Sequence, residues 1–167
     1  MFLKKVIQGM TRAATIFSVI MMILLALTLF IGVLTRYVFS ISIPELEVIR
    51  NFSLIWMIFI GSALAVKEKM HLDIDIFSEY ISEKLNRWRI RLVYLLSLFG
   101  IGVLIFIGME AFEAGLNRVE LVPVRFLSEQ PSLIYYYSSF LVGSVFMLLF
   151  HLVNVKDLFG RNEGDKK

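Results

Sequence analysis

The chain has 167 residues, 58% of them hydrophobic and 19% charged, with 17 Lys+Arg against 14 Asp+Glu and no cysteine. A soluble domain averages about 45–50% apolar and about 25% charged residues, so this chain departs from that class on both counts. The missing cysteines exclude a disulfide framework, thiol redox chemistry and a thiolate metal site, and a net charge of +3 gives no reason to invoke nucleic acid.

The charges are segregated. Ala13–Thr35, Asn51–Val66, Leu92–Met109 and Gln130–Val155 contain no Asp, Glu, Lys or Arg, so all 31 charges crowd into the rest of the chain. A bilayer demands that pattern and a water-soluble core does not. The expected fold is an all-α membrane protein with four transmembrane helices, forming one membrane domain over residues 1–167. The expected spans are about 13–35, 43–67, 90–113 and 131–155.

A helix rises about 1.5 Å per residue and the hydrocarbon layer is about 30 Å thick, so the first charge-free run is long enough by itself. It is too long for a cleaved signal peptide and ends in Thr35-Arg36-Tyr37 rather than at a small-residue site. The second run is short alone. Ser42-Ile43-Pro44-Glu45 reads as a capping box that starts its helix earlier, near Ile43. Glu47 and Arg50 then lie three apart and can pair on one face.

Between the second and third spans, His71-Leu72-Asp73-Ile74-Asp75-Ile76 alternates polar and apolar. From Ile76 to Trp88 the apolar residues recur at helical spacing, which predicts an amphipathic interfacial helix over about 74–86. Arg87, Arg89 and Arg91 with Trp88 lead into the third span as interfacial anchors. That helix is expected to run past Glu110 and Glu113, with Gly115 as a stop signal. The fourth span opens with Pro131 in its first turn, followed by Tyr135-Tyr136-Tyr137 at headgroup depth.

Lys and Arg number 13 in the N-terminus, middle loop and tail against 4 in the other two loops. The positive-inside rule therefore puts both termini and the middle loop in the cytoplasm.

Intramembrane charges mark proton relays, ion paths and substrate sites, and the four spans hold no charged residue. His151 near the inner end of the last span reads as a headgroup-level or packing histidine. His71, Asp73 and Asp75 have metal-ligand chemistry but read better as the wet face of an interfacial segment, and Glu110 with Glu113 as polar helix-end residues. No catalytic residue, metal site or cofactor is expected. Gly61 with Ala65, and Ser139 with Gly143, are small residues four apart that let helices approach closely in lipid. These features describe a membrane-embedded accessory subunit. The rival reading is a stand-alone channel or transporter acting as a homo-oligomer, its pore lined by Asn51, Ser53, Ser62 and Ser97.

Nearly the whole chain resembles the small membrane subunit of TRAP transporters, the tripartite ATP-independent periplasmic type. The matching residues are Thr35-Arg36-Tyr37-Val38-Phe39, Pro44-Glu45-Leu46-Glu47, and Phe59-Ile60-Gly61-Ser62-Ala63-Leu64-Ala65-Val66-Lys67 running into His71-Leu72-Asp73-Ile74-Asp75. The resemblance implies a non-catalytic subunit in the bacterial inner membrane. Its partners would be a large permease subunit, which carries the sodium and organic-acid sites, and a periplasmic binding protein. It also implies that Arg36 helps dock the binding protein, with Glu47 and Arg50 as neighbours by topology. Arg87, Trp88, Arg89 and Arg91 would hold bilayer depth against membrane phospholipid.

Overall fold

The computed structural model describes residues 2–68, 82–122, 124–125 and 129–160, apart from the side chains of residues 2–4, 83, 87, 154 and 156–160. Four helices account for most of it: α1 Phe2–Tyr37, α2 Pro44–Lys67, α3 Glu83–Leu116 and α4 Ile134–Gly160. Each is long and apolar enough to cross a membrane. Among the described residues the only extended pairing is a single antiparallel bridge between Val119 and Ser132.

The helices lie in an open row. α1 packs on α2, α2 on α4, and α4 on α3; no other pair comes into backbone contact among the described residues. The two edge helices use narrow seams of period seven. On α1 the buried positions are Ala14, Met21 and Thr28, and on α3 they are Ile101, Gly108 and Gly115. That spacing keeps one line of side chains against one neighbour. The rest of each edge helix is apolar and exposed, as at Phe30, 62%, and Phe99, 73%. α4 supplies Met147 and Phe150 to the main core cluster, with Ala63 and Val66 from α2 and Ile101 from α3.

Helix ends differ from expectation at three places. Ser42 does not cap α2: the N-cap is Ile43, extended at φ −111°, ψ 100°, with no side-chain cap. Pro44 at the first helical position explains this, because the residue before a proline is pushed out of the helical region. Pro131 is not in the first turn of α4 but precedes it. Its carbonyl accepts the Glu120 N–H at 2.8 Å beside the Val119–Ser132 bridge, where a missing N–H costs nothing. Gly115 is not a left-handed stop, since no described glycine has positive φ. It is a buried helical residue where a Cβ would lie 2.8 Å from Tyr137 Cδ2 and 3.0 Å from Ile134 Cα, so it serves the α3–α4 approach.

Ser82 is the N-cap of α3 and residues 83–86 form its first turn, while residues 74–81 of the expected interfacial helix lie outside the described residues. So do His71, Asp73 and Asp75.

Candidate functional site

Polar side chains gather at the end where α1 and α3 finish and α2 and α4 begin. The α1–α2 turn is made by Ser40 in the left-handed region, φ 54°, with the Ile41 N–H donating to the Thr35 carbonyl at 2.9 Å. This turn places Arg36, exposed in the last turn of α1, at the same end as the first turns of α2. There the Arg50 guanidinium meets the Glu47 carboxylate at 3.6 Å, both side chains about half exposed. A pair so exposed contributes little to stability.

Glu45 behaves differently. It is buried, and its carboxylate accepts the Arg125 N–H at 3.1 Å, tying the α3–α4 connection over the start of α2. That connection is braced from within: the Leu133 N–H donates to the Arg118 carbonyl at 2.9 Å, and the Ser132 hydroxyl donates to the Gly115 carbonyl at 2.8 Å. The Tyr136 hydroxyl donates to the Val48 carbonyl at 3.3 Å, and the Trp56 Nε1–H to the Tyr135 carbonyl at 2.9 Å. Trp56 also sits edge-on to Phe17 at 5.2 Å. One indole therefore joins α1, α2 and α4. The sequence does not single out Trp56, whose only signal there is a lone indole inside a span.

Beside this lattice is a cleft of about 250 Å³, lined by Asn51, Leu54 and Ile55 of α2, Leu133, Tyr136 and Tyr137 around the start of α4, and Glu120. Of these only Asn51 is a candidate on sequence alone. Ser53, grouped with it in the pore reading, is fully buried and donates to the Ile49 carbonyl one turn back, at 2.8 Å.

At the opposite end, Trp88 is 66% exposed and lines an apolar depression of about 400 Å³ with Leu85, Arg89 and Leu92. Arg91 is exposed and Arg89 half-buried; Arg87 lies on α3 with its side chain outside the described residues. The structure thus brings Trp88 and Arg89 together. Arg36 and the Glu47–Arg50 pair share an end, and among the described residues no ion pair joins them. Glu110 and Glu113 are exposed on the last turns of α3. His151 is a buried packing histidine, its ring stacked on Tyr94 at 4.2 Å. Its Nε2 lies 3.2 Å from the Tyr94 carbonyl, and because a carbonyl only accepts, Nε2 carries the proton in that bond. Among the described residues no three His, Asp or Glu side chains gather as metal ligands would.

Residues 25–161 match the family described as "Tripartite ATP-independent periplasmic transporters, DctQ component". No curated protein matches the chain.

Proposed function

Because the chain belongs to the DctQ-component family of tripartite ATP-independent periplasmic transporters, we propose that it scaffolds the large permease subunit and helps dock the periplasmic binding protein. It is a multi-pass membrane protein and the small component of a transporter, in a family of transport rather than enzyme chemistry. The open helix row carries the scaffold reading. A chain that moves solute as a monomer must enclose a path across the membrane, and among the described residues a row whose edge helices each touch one neighbour encloses none. The exposed apolar faces of α1 and α3 suit a second membrane protein, for which close packing supplies the attraction in lipid.

In this reading sodium coupling and the organic-acid site belong to the large subunit, and this chain carries no cofactor. The Lys+Arg count supports a bacterial inner-membrane topology with both termini inside, which turns the Arg36 end toward the periplasm. Trp88, Arg87, Arg89 and Arg91 then hold the cytoplasmic boundary.

The test is co-purification in mild detergent through a C-terminal tag. A much larger polytopic subunit should be recovered in equal amount, and liposomes should show sodium-driven uptake only when both membrane subunits and the binding protein are present. A homo-oligomer of this chain that conducts solute unaided would overturn the proposal.

Arg36→Glu should lower uptake several-fold while the two membrane subunits still co-purify. A rim charge acts mainly on encounter with a soluble partner, so the defect should shrink as added salt screens it. Unchanged uptake by the assembled variant would remove Arg36 from docking.

A further inference from the structure

We propose that the cleft beside Glu120 binds the primary-ammonium headgroup of a phospholipid, ethanolamine being the common example, with one acyl chain lying along α2. The inference rests on the cleft alone and is independent of the scaffold reading.

The cleft is mostly apolar, with four side chains that can accept a hydrogen bond: Glu120, Asn51, Tyr136 and Tyr137. Glu120 is held in place by its own loop, Oε1 accepting the Leu121 N–H at 3.1 Å and the Val122 N–H at 3.4 Å. It forms no ion pair among the described residues, although Arg118 and Arg125 stand on the same connection. The half-buried Glu120 carboxylate gains a charge-assisted hydrogen bond from a cation that brings its own N–H donors. A primary ammonium has three such donors, and the cleft offers them the Glu120 carboxylate, the Asn51 side-chain carbonyl and the tyrosine hydroxyls.

Position argues for lipid over a partner's lysine. The cleft sits at the tyrosine-rich start of α4, where aromatic side chains mark headgroup depth. Leu54 belongs both to the cleft and to the exposed surface of α2, and Ile58 follows it one turn further along. The cleft thereby runs on into an exposed apolar track along α2.

The test titrates the purified full-length chain with palmitoyl-oleoyl phosphatidylethanolamine, phosphatidylglycerol and phosphatidylcholine in mild detergent, reading adducts by native mass spectrometry. The ethanolamine lipid should bind about tenfold more tightly than the glycerol lipid, the scale of one hydrogen-bonded charge pair. Glu120→Gln keeps an oxygen for the Leu121 and Val122 amides, so the connection should hold while the preference falls below about twofold. Glu113→Gln, exposed on α3, should leave the preference intact. Equal binding of the three lipids, full preference in Glu120→Gln, or choline bound as well as ethanolamine would each overturn the proposal. A phosphatidylethanolamine carrying a diazirine on its acyl chain should label Leu54 and Ile58. Labelling spread evenly around α2 would equally overturn it.

Discussion

Gly143→Leu is expected to separate α2 from α4 and leave most of the protein aggregated or unfolded on extraction. A Cβ at position 143 would stand 2.6 Å from the Phe59 Cβ and 3.0 Å from the Phe59 backbone carbon and oxygen. Those are backbone-anchored atoms, so a side chain there can be admitted only by moving one helix away from the other. The Phe59–Phe140 edge-to-face contact, with centroids 4.6 Å apart, lies at the same crossing and would open with it. In lipid no hydrophobic gain pulls two helices together, so the crossing rests on close packing, and acyl chains recover only part of the dispersion attraction lost when it opens. Overpacking costs about 1–3 kcal/mol for modest insertions, and leucine against backbone belongs at or beyond the upper end. Gly143→Ala should fall between leucine and wild type in thermal unfolding. Gly61→Ala should change nothing, because its nearest neighbour would be Ser18 Oγ at 4.0 Å. A Gly143→Leu protein that is monodisperse and melts like wild type would show that the α2–α4 crossing is not a rigid contact.

The contrast between Gly61 and Gly143 also marks what the sequence can disclose. Both belong to pairs of small residues spaced four apart, and spacing alone favours neither; only the arrangement of the helices puts one at a crossing. Four spans are readable because the bilayer excludes charge, a constraint each segment satisfies by itself. The order of the helices is another matter. Ile101, Gly108 and Gly115 form a strict heptad seam, yet in a helix apolar on all sides no polar face contrasts with it, and periodicity loses its meaning. Glu45 is visible as a polar helix-start residue, but its acceptor role toward Arg125 joins positions 80 residues apart. Glu120 carries no pattern at all. It becomes a candidate only when α2 and α4 bring Asn51 and Tyr136 beside it. The Glu47–Arg50 pair is legible for the opposite reason: it is local, set by helical spacing within one element.

Phe150→Ala tests the junction on which the row depends. Phe150 is 1% exposed on α4 and belongs to the cluster that holds Ala63 and Val66 of α2 and Ile101 of α3. The backbones of α2 and α3 do not meet, so this ring helps bridge the two helices that flank α4. In a soluble core, truncating phenylalanine to alanine costs about 3–5 kcal/mol, part of it the return of apolar surface to water and part the cavity left behind. Here the first part nearly vanishes, because a side chain leaving the junction enters hydrocarbon instead of water. The cavity part remains, which places the expected loss at about 2 kcal/mol. Leu149→Ala removes a comparable apolar side chain from the adjacent position, 42% exposed and away from the cluster, and should cost less than about 0.5 kcal/mol. Unfolding by sodium dodecyl sulfate titration from mild-detergent micelles measures both. A difference of more than about 1 kcal/mol between the two variants is the signature of a packed three-helix junction. Equal losses would mean that α3 is held to α4 elsewhere, with the seam glycine at Gly115 and the Tyr94–His151 stack as the contacts to examine next.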